Sequence, residues 1–256
     1  MGNTKLTQLA EITCSGFCRR CNTVHKLGSA GAVELCAELM QKLDLEKRID
    51  FSVPTDKADP DLSTDYLFGD ARGQMFGVMT YTDRQGKTGA AYGFSGQYNS
   101  RWEVAGWVAP IIDPAEFDTL TTTTEREIKR IGKEMELFPA GSEEYKKLSL
   151  NRKQMSRDLM QKIHAIYRIP SFSEETKILP EVAPSDKGIP TGTGDCCAPK
   201  LLSFAIKNNL TPRGIAEFYY GRENRSGTKQ HKQYYSSCED KCGLILGHML
   251  CGLSSK

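Results

Sequence analysis

The chain has 256 residues, nine of them cysteines, and the spacing of those cysteines is its first chemical signal. They occupy positions 14, 18, 21, 36, 196, 197, 238, 242 and 251, with none from Ala37 to Asp195. In a reducing compartment, closely spaced thiols point to metal binding or thiol chemistry rather than to disulfides. At the carboxy end, Cys196 and Cys197 precede Ala198 and Pro199, and Pro199 suits the first turn of a helix. Cys238-x3-Cys242 precedes a second apolar run, Leu244 to Leu250. Both thiol groups are thus expected at helix N-termini, where unpaired N–H groups and the helix dipole favour thiolates or bound anions. Three thiolates gathered there can hold zinc and leave a fourth position for water, as catalytic zinc requires. Cys196, Cys197, Cys238 and Cys242 are the first set of metal candidates. A closed site that only staples the fold is the plainer reading of the same four.

A second set lies at the amino end, where Cys14, Cys18, Cys21 and His25 offer soft or borderline donors in one short stretch. Cys18-x2-Cys21 has knuckle spacing. Free thiols beside a solvated His25, or an iron–sulfur cluster, are the alternatives there. Cys251 is assigned to the core. The acid–base candidates are Asp195, directly before the cysteine pair, Glu217 on an expected strand, and His231. His231 lies in a basic loop with Arg222, Arg225, Lys229 and Lys232 that suits a phosphate.

The elements that must position these residues follow from periodicity. Val33, Cys36, Ala37, Met40 and Leu43 recur at helical spacing, with Ser29 as the expected cap. Gln74 to Thr82 and Thr88 to Ser95 read as strands joined by a turn at Asp83 to Gly86, and Val108 to Ile112 as a short extra strand. Helices are expected over 121–136, opening on a run of threonines, and over about 143–167. They make a helical hairpin at about 121–168 whose second helix carries Lys146, Lys147, Arg152, Lys153, Arg157 and Lys162 on one face. Residues 170–192, with Pro170, Pro180, Pro184 and Pro190, read as a linker or long loop. A helix from Pro199, a strand over Gly214 to Gly221 and a helix from Leu244 complete the chain.

The order of cysteine-bearing helix, strand, and Cys-x3-Cys helix over about 190–252 resembles the zinc-dependent nucleobase deaminase fold. That family carries a Glu two residues after its first ligand and a Pro before its later cysteine pair. Here Ala198 or Pro199 stands at the Glu position and Ser237 at the Pro position. Larger segments carry a second resemblance: 67–78 (LFGDARGQMFGV), 93–98 (GFSGQY), 192–202 (GTGDCCAPKLL), 216–221 (AEFYYG) and the final Cys-x3-Cys with Ile-Leu-Gly. They are similar to the domain found amino-terminal to some bacterial pseudouridine synthases of the RluA type. The synthase's own His-Arg-Leu-Asp motif is absent, so the resemblance implies a role near RNA modification and no isomerase activity.

Lys+Arg 34 against Asp+Glu 32 gives a net charge of +2, which implies no strongly basic or acidic partner by itself. No apolar run reaches the ~20 residues of a membrane span. The start, Met1 to Thr13, is polar, so a cytoplasmic protein is expected. The expectation is an α/β fold: a mixed sheet with flanking helices, a deaminase-like carboxy-terminal half and an inserted helical hairpin. It divides into a Cys-rich segment and helix over 1–50 and an α/β domain over 65–253. The expected function is a zinc-binding, deaminase-like protein acting on RNA or nucleotides, possible hydrolytic chemistry on a nucleobase included. The rivals are a non-catalytic RNA-binding module with structural zinc and a thiol-based redox protein using Cys196 and Cys197.

Overall fold

The structure is a computed structural model describing residues 12–183 and 188–253. The first eleven residues of the amino-terminal segment, and Pro184 of the proline-bearing stretch, lie outside the described residues. In chain order the elements are β1 (Cys14–Cys18), β2 (Thr23–Leu27), α1 (Ala32–Glu46), β3 (Gln74–Thr82), β4 (Thr88–Phe94), α2 (Pro114–Met135) and α3 (Glu143–Ile166). They continue with β5 (Arg168–Pro170), β6 (Thr176–Ile178), α4 (Leu179–Val182), α5 (Cys197–Lys207), β7 (Thr211–Tyr220), β8 (Tyr234–Tyr235) and α6 (Gly243–Leu250). The chain is a mixed α/β protein, and among the described residues no helix is long and apolar enough to cross a membrane.

Alternation along the strands builds a four-stranded sheet in the order β4-β3-β7-β8. Every neighbouring pair in it is antiparallel, which corrects the expectation of a mixed sheet. The reason is topological. β3 runs antiparallel to both β4 and β7, so the two strands that share a direction are separated by it.

Successive side chains on a strand point to opposite faces. Phe76 and Val78 of β3, Phe94 of β4, and Ala216, Phe218 and Tyr220 of β7 meet Leu39 and Leu43 of α1 on one face. Met79, Ala91 and Ile215 turn to the other face, under Leu201 and Leu202 of α5 and Ile245 and Met249 of α6. Burying Leu201 and Leu202 contributes roughly 3 to 6 kcal/mol before ordering costs. The same alternation sends Glu217 to the α5 side. Its ladder partner is Gly77, where a Cβ would lie 2.7 Å from the Cβ of Cys197, so the missing side chain lets α5 begin directly on the sheet.

Two helix starts differ from expectation. Gly31, at φ 69°, caps α1, and Ser29 contributes its carbonyl to the Ala32 N–H. α2 begins at Pro114 rather than at 121: Asp113 accepts from the Ala115 N–H at 2.8 Å and Pro114 occupies the first turn. Thr121 to Thr124 therefore lie inside the helix. α2 and α3 pack on one another, and Leu159 and Ile163 of α3 reach the core. Residues 108–112 form no strand.

Candidate metal centre and thiol site

α6 lies along β1 at unusually short range. A Cβ on Gly247 would come 2.2 Å from the Phe17 carbonyl carbon, and one on Gly16 would come 2.4 Å from the Gly247 nitrogen. From Cys14 to Cys18 a strand advances about 13 Å. From Cys242 to Cys251 a helix advances about 13.5 Å. The two elements therefore bring cysteines together at two levels. Cys14 sits beside Ser237 and Cys242, and Cys18 sits beside Cys251.

This splits the amino-terminal set read from spacing. Cys14, about 13 Å along the strand from Cys18, cannot share an ion with it. Cys251 takes its place instead of serving only as core. The donor atoms of Cys18, Cys21, His25 and Cys251 all lie within 4.8 Å of one another, a group that could hold a metal ion. The Cys21 and Cys251 Sγ atoms are 3.4 Å apart. The turn between β1 and β2, with Asn22 at φ 53°, folds the N–H groups of Arg20 and Cys21 back onto Cys18. Burial opposes ionisation of Cys18, but the Cys21 N–H, the thiols of Cys251 and Cys21 and the Arg20 N–H outweigh it and hold its pKa below the ordinary thiol value. The Cys251 thiol is the main reason the Cys21 pKa is pushed up to about 11. His25 is half-buried, and its Nε2 is sealed from solvent without a hydrogen-bond partner.

The second level gathers the carboxy-terminal cysteines. Cys196 caps α5 and Cys242 caps α6, and the Cys196 thiol faces those of Cys238 and Cys242. Cys238 is held down at about pKa 5, first by the Cys196 thiol and then, against burial, by the N–H groups of Lys241 and Cys242. Cys196 itself is raised by the same two thiols. Both Cys196 and Cys238 are half-buried, so the group borders solvent.

Glu217, 3% exposed, reaches across from β7, and its Oε1 accepts from the Ala198 N–H at 3.2 Å. Burial raises its pKa to about 7, against the Ala198 N–H and the nearby Lys229 ammonium. Lys229 sits 3.6 Å over the Tyr235 ring and within the field of Glu217, Cys238 and Cys196; burial lowers its pKa. Asp195 accepts from the Tyr167 hydroxyl at 2.7 Å, and burial raises its pKa. Beneath it, the buried Lys200 ammonium donates to the carbonyls of Phe94 and Gly96 at 3.0 and 2.6 Å. A cleft of about 530 Å³ opens beside Asp195, lined by Gln97, Trp102, Phe117, Thr121 and Arg126 among others.

Two sequence candidates fall elsewhere. Cys197 is one residue into α5 and points into the sheet, its thiol donating to the Met75 carbonyl at 3.3 Å. A step of about 100° per residue separates it from Cys196, so the two cannot face one ion from that helix start. His231 packs edge-on against Tyr220 and Phe68, and its Nδ1 accepts from the Gly221 N–H at 3.0 Å. It fastens its loop rather than joining the thiols. Lys229 from that loop, with Tyr167 and Lys200, stands at the site instead. The loop's charge was visible in the sequence, but not which cation would turn inward.

Compared with protein-family models, curated proteins and solved structures, the chain matches none of them.

Proposed function

We propose that Cys196, Cys238, Cys242 and Glu217 form a zinc-dependent hydrolytic centre of the deaminase kind, acting on a nucleobase in RNA or a nucleotide. One observation carries this reading: the Glu217 carboxyl group rests on the N–H of Ala198, two residues past Cys196, where the deaminase pattern has its own Glu. The side chain missing from the helix is replaced by one from the neighbouring strand. The antiparallel order β4-β3-β7, with α5 entering β7 and α6 following it, supports the same reading.

Cys196 faces both Cys238 and Cys242, but among the described residues only the Cys18 group has all its donors within 4.8 Å of one another, so these three thiols would draw together around zinc, which when bound would polarise a water molecule. The chain's own part is proton transfer and orientation. Glu217, buried and with a pKa near 7, is matched to taking a proton from water and passing it to the departing amine. As the new C–O bond forms and the C–N bond breaks, ammonia leaves. Lys229 offsets the negative charge of the thiolates. The neighbouring cleft meets the centre through Asp195, the residue before Cys196; its Trp102 and Phe117, packed edge to face at 5.3 Å, and its Arg126 and Lys129 suit a base and a phosphate.

The test is ammonia release from cytosine- and adenine-containing nucleosides, nucleotides and short RNAs by the zinc-loaded chain. Glu217→Gln should lower the rate by about 100- to 10,000-fold with zinc retained. No release across the panel would overturn the reading. The RNA-binding alternative would then stand on the exposed cations of α3, Lys146 to Lys162, and on RNA affinity that falls steeply with salt.

A further inference from the structure

We propose that Cys18, Cys21, His25 and Cys251 hold a structural zinc ion, separate from the Cys196 group, that fastens the far end of α6 to the β1–β2 hairpin. Four donors from three places in the chain converge within 4.8 Å, the number and types of a closed tetrahedral site. Zn–S bonds of 2.3 Å place two sulfurs about 3.8 Å apart in a tetrahedron. The Cys21 and Cys251 sulfurs are 3.4 Å apart, near that spacing and far beyond the ~2.05 Å of a disulfide. The His25 Nε2 is buried without any partner, a cost that an ion bound at that nitrogen removes. N–H groups folded onto Cys18 are the geometry of a Cys-x-x-Cys knuckle before the ion arrives.

The consequence is mechanical. α6 is only eight residues long, and isolated helices of that length do not persist in water. Its first residues follow Cys242, and its C-cap is Cys251. An ion at the C-cap fixes the helix along β1 and so sets the level at which Cys242 meets Cys196. Binding displaces the thiol protons to solvent.

The experiment compares the full-length wild type with Cys21→Ser, Cys251→Ser and Cys238→Ser, purified reduced and measured for zinc per chain. Cys21 is exposed, and its thiol touches only the other cysteines of the group, so its replacement leaves the apolar core intact. Cys21→Ser should lose one equivalent of zinc and, after cobalt substitution, one site's share of the thiolate d–d absorption, the share that Cys238→Ser keeps. Amide exchange in α6 and the hairpin should accelerate at least tenfold. Cys238→Ser should keep that equivalent, so this site and the hydrolytic centre succeed or fail separately. Should the variants misfold, the wild type gives the answer. With zinc bound, Cys21 should resist maleimide labelling, and a chelator should expose it. Unchanged zinc content in Cys21→Ser, iron in place of zinc, or labelling of Cys21 that ignores the chelator would overturn the proposal.

Discussion

Cys242 and Cys251 cap the two ends of one helix and belong to two different thiol groups. The strand beside that helix repeats the arrangement, with Cys14 at one end and Cys18 at the other. Between the two levels the helix and strand touch through the bare backbone contact of Gly16 with Gly247.

That contact leaves no room for a methyl group. Gly247→Ala should cost about 1 to 3 kcal/mol through overpacking, which is a fall in Tm of roughly 2 to 4 °C per kcal/mol for a chain of this size. Thermal unfolding of the zinc-loaded protein measures it. An unchanged Tm would mean that β1 and α6 separate more easily than their packing implies.

Lys200 is a cation with no exposed surface, held by two carbonyls and lying 4.8 Å over the Phe94 ring. Lys200→Met keeps the stem but leaves both carbonyls unpaired, at about 1 to 3 kcal/mol each. Relief of the buried charge offsets part of that, so a net loss of about 2 kcal/mol is expected in urea unfolding. A more stable variant would show that the ammonium costs more to bury than its contacts return.

Acid should weaken the fold through His164. Burial holds its pKa below 6.5, and its Nε2 has no partner. From about one pH unit above 6.5 the ring is neutral in both states and the stability is complete. As pH falls below that value, the unfolded chain takes up the proton first and stability declines toward and through the lower folded pKa. Tm measured from pH 7.5 to pH 5 should fall more in the wild type than in His164→Gln. Superimposable profiles would remove His164 from the acid response.

Asp113 should matter where the threonine run does not. Asp113→Ala removes the cap of α2 and should cost about 0.5 to 2 kcal/mol. Thr122→Ala and Thr124→Ala, inside the helix, should change stability by no more than about 0.5 kcal/mol. Equal losses from all three would place the helix start near 121 after all.

Three of the four strands of the main sheet were legible because glycine-, aromatic- and valine-bearing runs and a turn are local signals; β8, the β1–β2 hairpin and the β5–β6 pair were not read as strands. Gln74 to Thr82, Thr88 to Phe94 and the strand carrying Glu217 all announce themselves within ten residues. The start of α2 was also written locally, in Asp113-Pro114, but the threonines at 121–124 offered a competing cap. The thiol groups were less legible, for two physical reasons. Spacing treats Cys14 and Cys18 as one cluster, although an extended chain carries them apart. Nothing near Cys251 announces that Cys21 will meet it across a separation of 230 residues. Cys196 and Cys197 diverge because a helix start turns each residue away from the last.

That long separation also sets the order in which the molecule can be made. At ribosomal rates of about 5 to 20 residues per second, β1 waits roughly 10 to 50 s for the segment it packs against. Through that interval Cys14, Cys18 and Cys21 are on a chain that has not yet made the helix which covers them. The hairpin is synthesised some 230 residues before the segment that completes it. Until α6 emerges, Cys14, Cys18 and Cys21 stand without the helix that packs along β1.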